Sequence, residues 1–273
     1  MTGPALGDVG LGEGTGQTLA VGDVDYDRAA TDYERTRGRR SGTEAWRGPV
    51  LRELDGAPPG PVVDLGSGTG IWSAVLSGWT GRAVVAVEPS AGMRAEAAAR
   101  TAAVGGGDGT TVLAVAGRGG ALPLRDRAAG AAWLSTVIHH VGDIGACARE
   151  LRRALAPGAP VVLRGAFAGR YDGIGLVRYF PGSRRRLDRF PSVEAVRAAF
   201  EGSGFAFARL ERVDEPPIDL REWREALPRQ RRADTALVEL SDEEFAAGLR
   251  AVDAAIAAGE GPGPVGLDLL AFR

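Results

Sequence analysis

Short apolar runs, each closed by glycine or proline, alternate along this chain with stretches whose apolar residues recur every three or four positions. The run Val62-Val63-Asp64-Leu65 follows Pro61 and reads as a buried parallel strand. Three glycines, Gly66, Gly68 and Gly70, break it, and a helix is expected from Ile71 to Trp79, stopped near Gly81. The same strand-then-helix unit recurs. Further strands are expected at Ala83 to Glu88, Thr111 to Ala116, Ala131 onwards to an exit at Val141, and Pro160 to Gly165. Helices are expected from Pro89-Ser90 and from Asp143 to Ala156. This alternation predicts an α/β fold built on a mostly parallel sheet.

The flanks read differently. Residues 1–22 are glycine-rich with few bulky apolar side chains, and a flexible tail is expected there. Tyr26, Ala30, Tyr33 and Arg37 recur at helical spacing, and Thr43 to Leu54 reads as a second helix before the rigid linker Ala57-Pro58-Pro59-Gly60. Residues 104–110 form a glycine-rich loop. Beyond Gly165, Ser192 is the N-cap of a helix running to about Gly202, and Phe205 to Val213 is a strand. Residues 216 to about 259 read as helical, broken at Pro228 and restarting at Ser241-Asp242-Glu243-Glu244, whose S-x-x-E pattern is a capping box. Pro264 to Phe272 closes the chain as an apolar strand, expected at the antiparallel edge of the sheet.

The glycine turn carries the chemistry. Glycines let the backbone turn sharply and approach a ligand with no Cβ in the way. A strand, a glycine turn and a helix start together form a nucleotide-cofactor crevice. The dinucleotide pattern G-x-G-x-x-G would need glycine at position 71, where Ile71 stands, so an NAD-binding oxidoreductase is disfavoured. Glu88 ends the second strand, where an acid can accept both ribose hydroxyls of a nucleoside.

Asp64-x-Gly66-x-Gly68-x-Gly70 resembles motif I of the class I S-adenosylmethionine-dependent methyltransferases. Further motifs of that family follow in register. Glu88-Pro89-Ser90 with Met93 resembles E-P-S-x-x-M, and Gly117 to Asp126 resembles G-x-A-E-x-L-P-x-x-D with Gly119-Gly120 replacing the Ala-Glu pair. Leu151 to Gly158 resembles L-R-R-x-L-x-P-G, and Tyr26 to Arg37 resembles the start of related small-molecule enzymes. The resemblance covers roughly residues 25 to 165 and is to the small-molecule, ubiquinone-biosynthesis-like branch.

It implies a Rossmann-like seven-stranded sheet, mostly parallel with an antiparallel last strand and helices on both faces. It implies one methyltransferase domain over 23–273, with a helical lid at 23–56, a cofactor core at 61–165 and a helical insertion at 214–263. The cofactor would be S-adenosyl-L-methionine, leaving as S-adenosyl-L-homocysteine. Its implied contacts are Tyr26, Tyr33 and Arg37 from the lid, Asp64, Gly66, Ser67, Gly68 and Gly70 from the turn, and Glu88 and Pro89. Met93, Arg118, Gly119 and Ser135 complete the set. The alternative role is a protein that binds the same cofactor on the same fold without methylating, cyclase-like or regulatory.

Composition narrows this picture. Apolar residues make up 44% and charged residues 25%, which suits a sizeable core. The single Cys147 excludes an internal disulfide framework and a zinc site of several cysteines. With no signal peptide and no membrane-length apolar run, a cytoplasmic protein is expected. A net charge of -2 gives no global pull towards nucleic acid, so the expected partner is a small-molecule acceptor, for a monomer or homodimer. Lysine is absent, which excludes Schiff-base chemistry.

Transfer to a hydroxyl or a protonated amine needs a base. The only histidines, His139 and His140, follow the fourth strand, whose carboxyl end faces the crevice. His139 is the preferred base and His140 the second candidate. Ser135 and Thr136 stand where magnesium-dependent relatives place an acid, so no metal is expected. Arginines cluster at Arg184-Arg185-Arg186 with Arg189, and at Arg221, Arg224, Arg229, Arg231 and Arg232. They read as a solvated basic face, or else as an anionic or aromatic acceptor pocket.

Overall fold

The computed structural model describes residues 24–37, 41–104, 111–261, 263 and 265–273. The expected tail at 1–22 and loop residues 105–110 lie outside them, as does the side chain of Arg37. Seven strands form one sheet: β1 (Val62–Leu65), β2 (Val84–Val87), β3 (Val112–Val115), β4 (Ala131–Ser135), β5 (Val161–Gly165), β6 (Phe207–Glu215) and β7 (Val265–Phe272). Their order is β3-β2-β1-β4-β5-β7-β6. Strands β1 to β5 pair in parallel, and β7 runs antiparallel to both its neighbours. The last strand is therefore antiparallel as expected, but it does not lie at the edge of the sheet, where its sequence position places it. It inserts between β5 and β6, pairing Leu163 with Leu270 on one side and Leu210 with Leu270 on the other. Its near-continuous burial, with Leu269, Leu270, Ala271 and Phe272 at 1% exposure or less, is the mark of an interior strand.

Helices cover both faces, and the strand alternation decides which residue meets which. Val63, Leu65, Val85 and Leu134 face α5 (Ile144–Ala154) and α8 (Val193–Glu201), through Cys147, Leu151, Val196 and Phe200. Val62, Val84, Trp133 and Leu269 face α2 (Glu44–Leu54) and α3 (Ile71–Thr80), through Trp46, Val50 and Leu76. Burial pushes the Cys147 thiol up to about 12, so it is a core residue and not a nucleophile. The caps are those the sequence indicates. Ser192 Oγ accepts from the Ala195 amide, and Ser241 and Glu244 form a reciprocal capping box on α10 (Asp242–Ala257).

Two segments depart from the expected pattern. α9 (Leu220–Ala233) runs straight through Pro228, and the break comes after Ala233. Proline in a helix interior forfeits one hydrogen bond. Here the burial of Leu220, Trp223 and Leu227 against Phe245 and Val252 of α10 holds the helix together. Residues 175–187, not expected to be helical, form the short helices α6 (Gly175–Tyr179) and α7 (Arg184–Leu187), and Tyr179 and Phe180 join the same cluster. The remaining helices are α1 (Tyr26–Arg37) and α4 (Ala91–Val104).

Arg184, Arg185, Arg189, Arg221, Arg229 and Arg232 are exposed, as expected of a solvated face, and several of the clustered arginines are ion-paired. Arg185 pairs with Glu244 and Arg186 with Glu239, each at 2.8 Å, and Arg189 also reaches Glu239. Arg224 pairs with Asp253 and Arg231 with Asp242. These pairs tie α7 and α9 to α10 and to the segment before it. Each is partly exposed, so solvent screens the attraction and each adds little to stability.

Candidate functional site

Gly66, Gly68 and Gly70 all adopt the left-handed backbone, with φ of 69°, 55° and 75°. Two of them are fixed by close packing. A Cβ on Gly66 would stand 2.2 Å from Val137 Cγ2, and one on Gly70 would stand 2.9 Å from Ala97 Cβ on α4. A Cβ on Gly68 would meet nothing within 4 Å. Gly68 thus faces open space, while Gly70 serves helix packing.

Glu88, at the end of β2, is buried beside this turn. Its two carboxylate oxygens accept from the amides of Gly68 and Ser90, each at 2.9 Å. Burial pushes its carboxyl upward, and the two amides oppose that rise. Each oxygen keeps a further lone pair for a ligand hydroxyl. Asp64, fully buried in β1, accepts from Ser73 Oγ at 2.6 Å. Burial pushes its pKa from 3.8 up to about 7, the Ser73 hydroxyl lowers it and Glu88 raises it further. The native state then holds a proton that the unfolded chain has released. Asp64's contribution to stability is full below about pH 3.8 and is lost as pH rises towards 7. The stability difference between wild type and Asp64→Asn should therefore shift in the variant's favour from pH 4 to pH 7 and level off above, as measured by urea titration.

Two adjoining cavities open at the carboxyl ends of the central strands. The smaller, about 80 Å³, is bounded by Asp64, Gly66, Ser67, Gly68, Thr69, Ser135 and Trp72. The larger, about 190 Å³, is bounded by His139, His140 and Tyr26, with apolar walls from Ile174, Leu176, Phe190, Ile218 and Val265. Tyr33, Thr136, Arg164 and Glu215 border both. Thr136 has φ of 51°, a strained value for a β-branched residue, just where the cavities meet.

The expected site residues separate accordingly. Asp64, Gly66, Ser67, Gly68, Ser135 and Tyr33 line the smaller cavity, and Tyr26 lines only the larger. Met93 is 2% exposed, Pro89 and Arg118 are exposed, and Gly119 packs beside Cys147. None of these four borders either cavity, and neither does Gly70 or Glu88. Both histidines line the larger one. The His139 ring lies flat on Phe190, with centroids 3.9 Å apart. His140 Nε2 shares a 3.0 Å hydrogen bond with the Tyr26 hydroxyl, which also meets Thr235 Oγ1 at 3.2 Å.

Asp27 draws α1 onto the loop after Glu88 by accepting from Ser90 Oγ at 2.6 Å and the Gly92 amide at 3.0 Å. These bonds hold its carboxyl below the usual range. Tyr26→Phe removes the Tyr26 bonds to His140 and Thr235, worth about 1 kcal/mol each. Faster amide exchange confined to α1, with little change in global stability, is the expected result.

The sequence reading did not single out Arg164, Glu215 or Asp27. Arg164 had a visible signal, a charge inside the apolar run Val161-Val162-Leu163. Glu215 and Asp27 had none, because their roles depend on which segments meet. Among the described residues no cluster of His, Cys, Asp and Glu could hold a metal ion. No described helix is long and apolar enough to cross a membrane.

A strand order of 3-2-1-4-5-7-6 with β7 reversed, and a glycine turn over an acid at the crevice, define the class I methyltransferase fold. The comparisons with known proteins agree. Residues 63–163 match the family described as "Methyltransferase domain". The demethylmenaquinone methyltransferase of Corynebacterium kroppenstedtii is 33% identical over 135 residues, 49% of this chain and 54% of that protein. The chain thus spans about half the length of that curated relative. Among solved structures, a methyltransferase from an antibiotic biosynthesis pathway of Anabaena variabilis is similar, with a TM-score of 0.64 and 21% identity. The match covers 86% of this chain and 98% of that one. The 4+2 cyclase SpnF is also similar, with a TM-score of 0.59, 16% identity and coverage of 91% and 93%.

Proposed function

We propose that this protein transfers a methyl group from S-adenosylmethionine to a small-molecule acceptor in the cytoplasm. The observation that carries this reading is the pair of cavities sharing one wall, a glycine-lined crevice on one side and a largely apolar chamber on the other. In-line displacement needs that arrangement, with donor and acceptor approaching from opposite sides of one point, sheltered from water.

The residues fit the cofactor. Among the described residues, Ser67 Oγ and Thr69 Oγ1 are buried with no hydrogen-bond partner, so the turn has polar groups unused within the protein. Gly68 leaves room for close approach, Glu88 would take the ribose hydroxyls, and Asp64, Ser67 and Ser135 would surround the methionine end. When bound, S-adenosylmethionine supplies an electrophilic methyl on a sulfonium. The chain positions the acceptor, excludes water with α1, and accepts a proton at His139 or His140 when the acceptor carries one. Tyr33 closes over the shared wall.

SpnF shows that this fold also serves a cyclase, so cofactor binding and methyl transfer need separate measurements. Calorimetric titration with S-adenosylmethionine and S-adenosylhomocysteine should give micromolar-range binding for both. Acceptor-dependent release of S-adenosylhomocysteine should follow in a screen of small molecules. Binding without release from any acceptor class would favour the non-methylating role, and no binding at all would remove the enzyme reading.

A further inference from the structure

Arg164 is a charged residue in a strand whose preceding three residues, Val161, Val162 and Leu163, are at most 1% exposed. Its side chain is 10% exposed and that of its ion-pair partner Glu215 is 8% exposed. Taking two charges out of water is expensive, and apolar side chains of similar volume often fill such a place as well or better. Pairing alone does not explain why they are here. Their position does, since both border both cavities, at the wall where an acceptor would meet the methyl group.

The pair is also held rigidly. The guanidinium lies over the rings of Trp46 and Trp72, 4.9 and 5.3 Å from their centroids. Trp46 Nε1 donates to Glu215 Oε1 at 2.9 Å, and Arg164 Nη1 donates to Ser135 Oγ at 3.3 Å. An arginine has five N–H donors. Among the described residues only Ser135 and Glu215 accept from it, and Nε is buried with no partner. A fixed, donor-rich cation therefore stands at the wall with N–H groups unused.

We propose that Arg164, held by Glu215, binds an anionic oxygen of the acceptor at the shared wall and so selects oxygen acids, such as phenols and enols, over amines. This rests on the methyltransferase reading. A guanidinium only donates, so its partner must offer a lone pair, which a protonated amine lacks. The apolar walls contributed by Ile174, Leu176, Phe190, Ile218 and Val265 suit a hydrocarbon ring or chain behind that oxygen.

The step balances as follows. The acceptor binds as its anion, having left its proton with solvent water. A bond forms from its oxygen, or from the conjugated carbon, to the methyl. The methyl–sulfur bond breaks, and its electron pair stays on sulfur. The acceptor's negative charge and the sulfonium's positive charge cancel.

The cofactor's own carboxylate is an anion of the same chemistry, and Arg164 also borders the smaller cavity. The test separates the two. 4-Nitrophenol, whose phenol and phenolate absorb differently, is titrated into protein saturated with S-adenosylhomocysteine. Wild type is compared with Arg164→Gln and with the double variant Arg164→Gln/Glu215→Gln, which leaves no unpaired buried charge if the single variant fails to fold. In wild type the phenolate-to-phenol ratio of bound probe should exceed that in buffer at the same pH by about tenfold or more. Both variants should lose this gain and bind S-adenosylhomocysteine within about threefold of wild type, well under a 1.4 kcal/mol change.

Probe bound as neutral phenol, or not bound at all, overturns the proposal. So does weakened S-adenosylhomocysteine binding in the variants with methylthioadenosine binding unchanged, because the anion is then the cofactor's carboxylate. Failure of wild type to bind S-adenosylhomocysteine is a different result, and removes the methyltransferase reading itself.

Discussion

The Glu88→Ala protein is expected to bind S-adenosylhomocysteine at least about a hundredfold more weakly than wild type. A hydrogen bond to a charged group is worth about 1.5–3 kcal/mol, and a hundredfold is about 2.7 kcal/mol, so losing two ribose bonds suffices. The side chain also organises the turn, because it accepts from the amides of Gly68 and Ser90. Removing it leaves both amides without that partner. Glu88→Gln keeps one acceptor oxygen and should fall between wild type and Glu88→Ala. Calorimetry on the three proteins, with circular dichroism to check folding, measures the effect. Equal affinity in all three would move the ribose away from β2.

The second large effect separates packing from binding within one turn. Gly66→Ala places a Cβ against Val137 and forces a non-glycine residue into the left-handed region. The two costs together should lower stability by about 2–5 kcal/mol. Gly68→Ala carries only the backbone cost of about 1–2 kcal/mol, since nothing stands within 4 Å of the new Cβ. Its methyl, however, enters the space where the cofactor would lie. Gly68→Ala should therefore stay folded in urea titration yet lose most cofactor affinity, whereas Gly66→Ala should lose stability first. Full cofactor affinity in Gly68→Ala would place the ligand elsewhere.

These residues were legible because local pattern fixes them. A strand, three alternate glycines and an acid at the next strand's end are contiguous signals, and the capping box at Ser241 is of the same kind. The sheet position of β7 was not legible, because antiparallel direction leaves open which strand lies outside it. The helix through Pro228 was misread for a related reason, as burial of Trp223 and Leu227 in a remote cluster outweighs a local helix breaker. The larger cavity lies furthest from sequence reading. Its walls come from α1, the β4 exit, β5, α6, α7, the end of β6, α9 and the start of β7, and no single stretch announces it.

The docking of α1 bears on turnover. One short helix is latched at Asp27 to the loop beside Glu88, at Tyr26 to His140 and Thr235, and through Tyr33 borders both cavities. In the proposed reaction both products would leave past this element, and its detachment would be a barrier common to them. In the proposed reaction, kcat should fall as solvent viscosity is raised with sucrose, while kcat/KM for a sluggish acceptor stays level. Weakening the latch with Asp27→Ala should flatten the viscosity dependence, and the enzyme would then exchange ligands faster at the expense of letting water in.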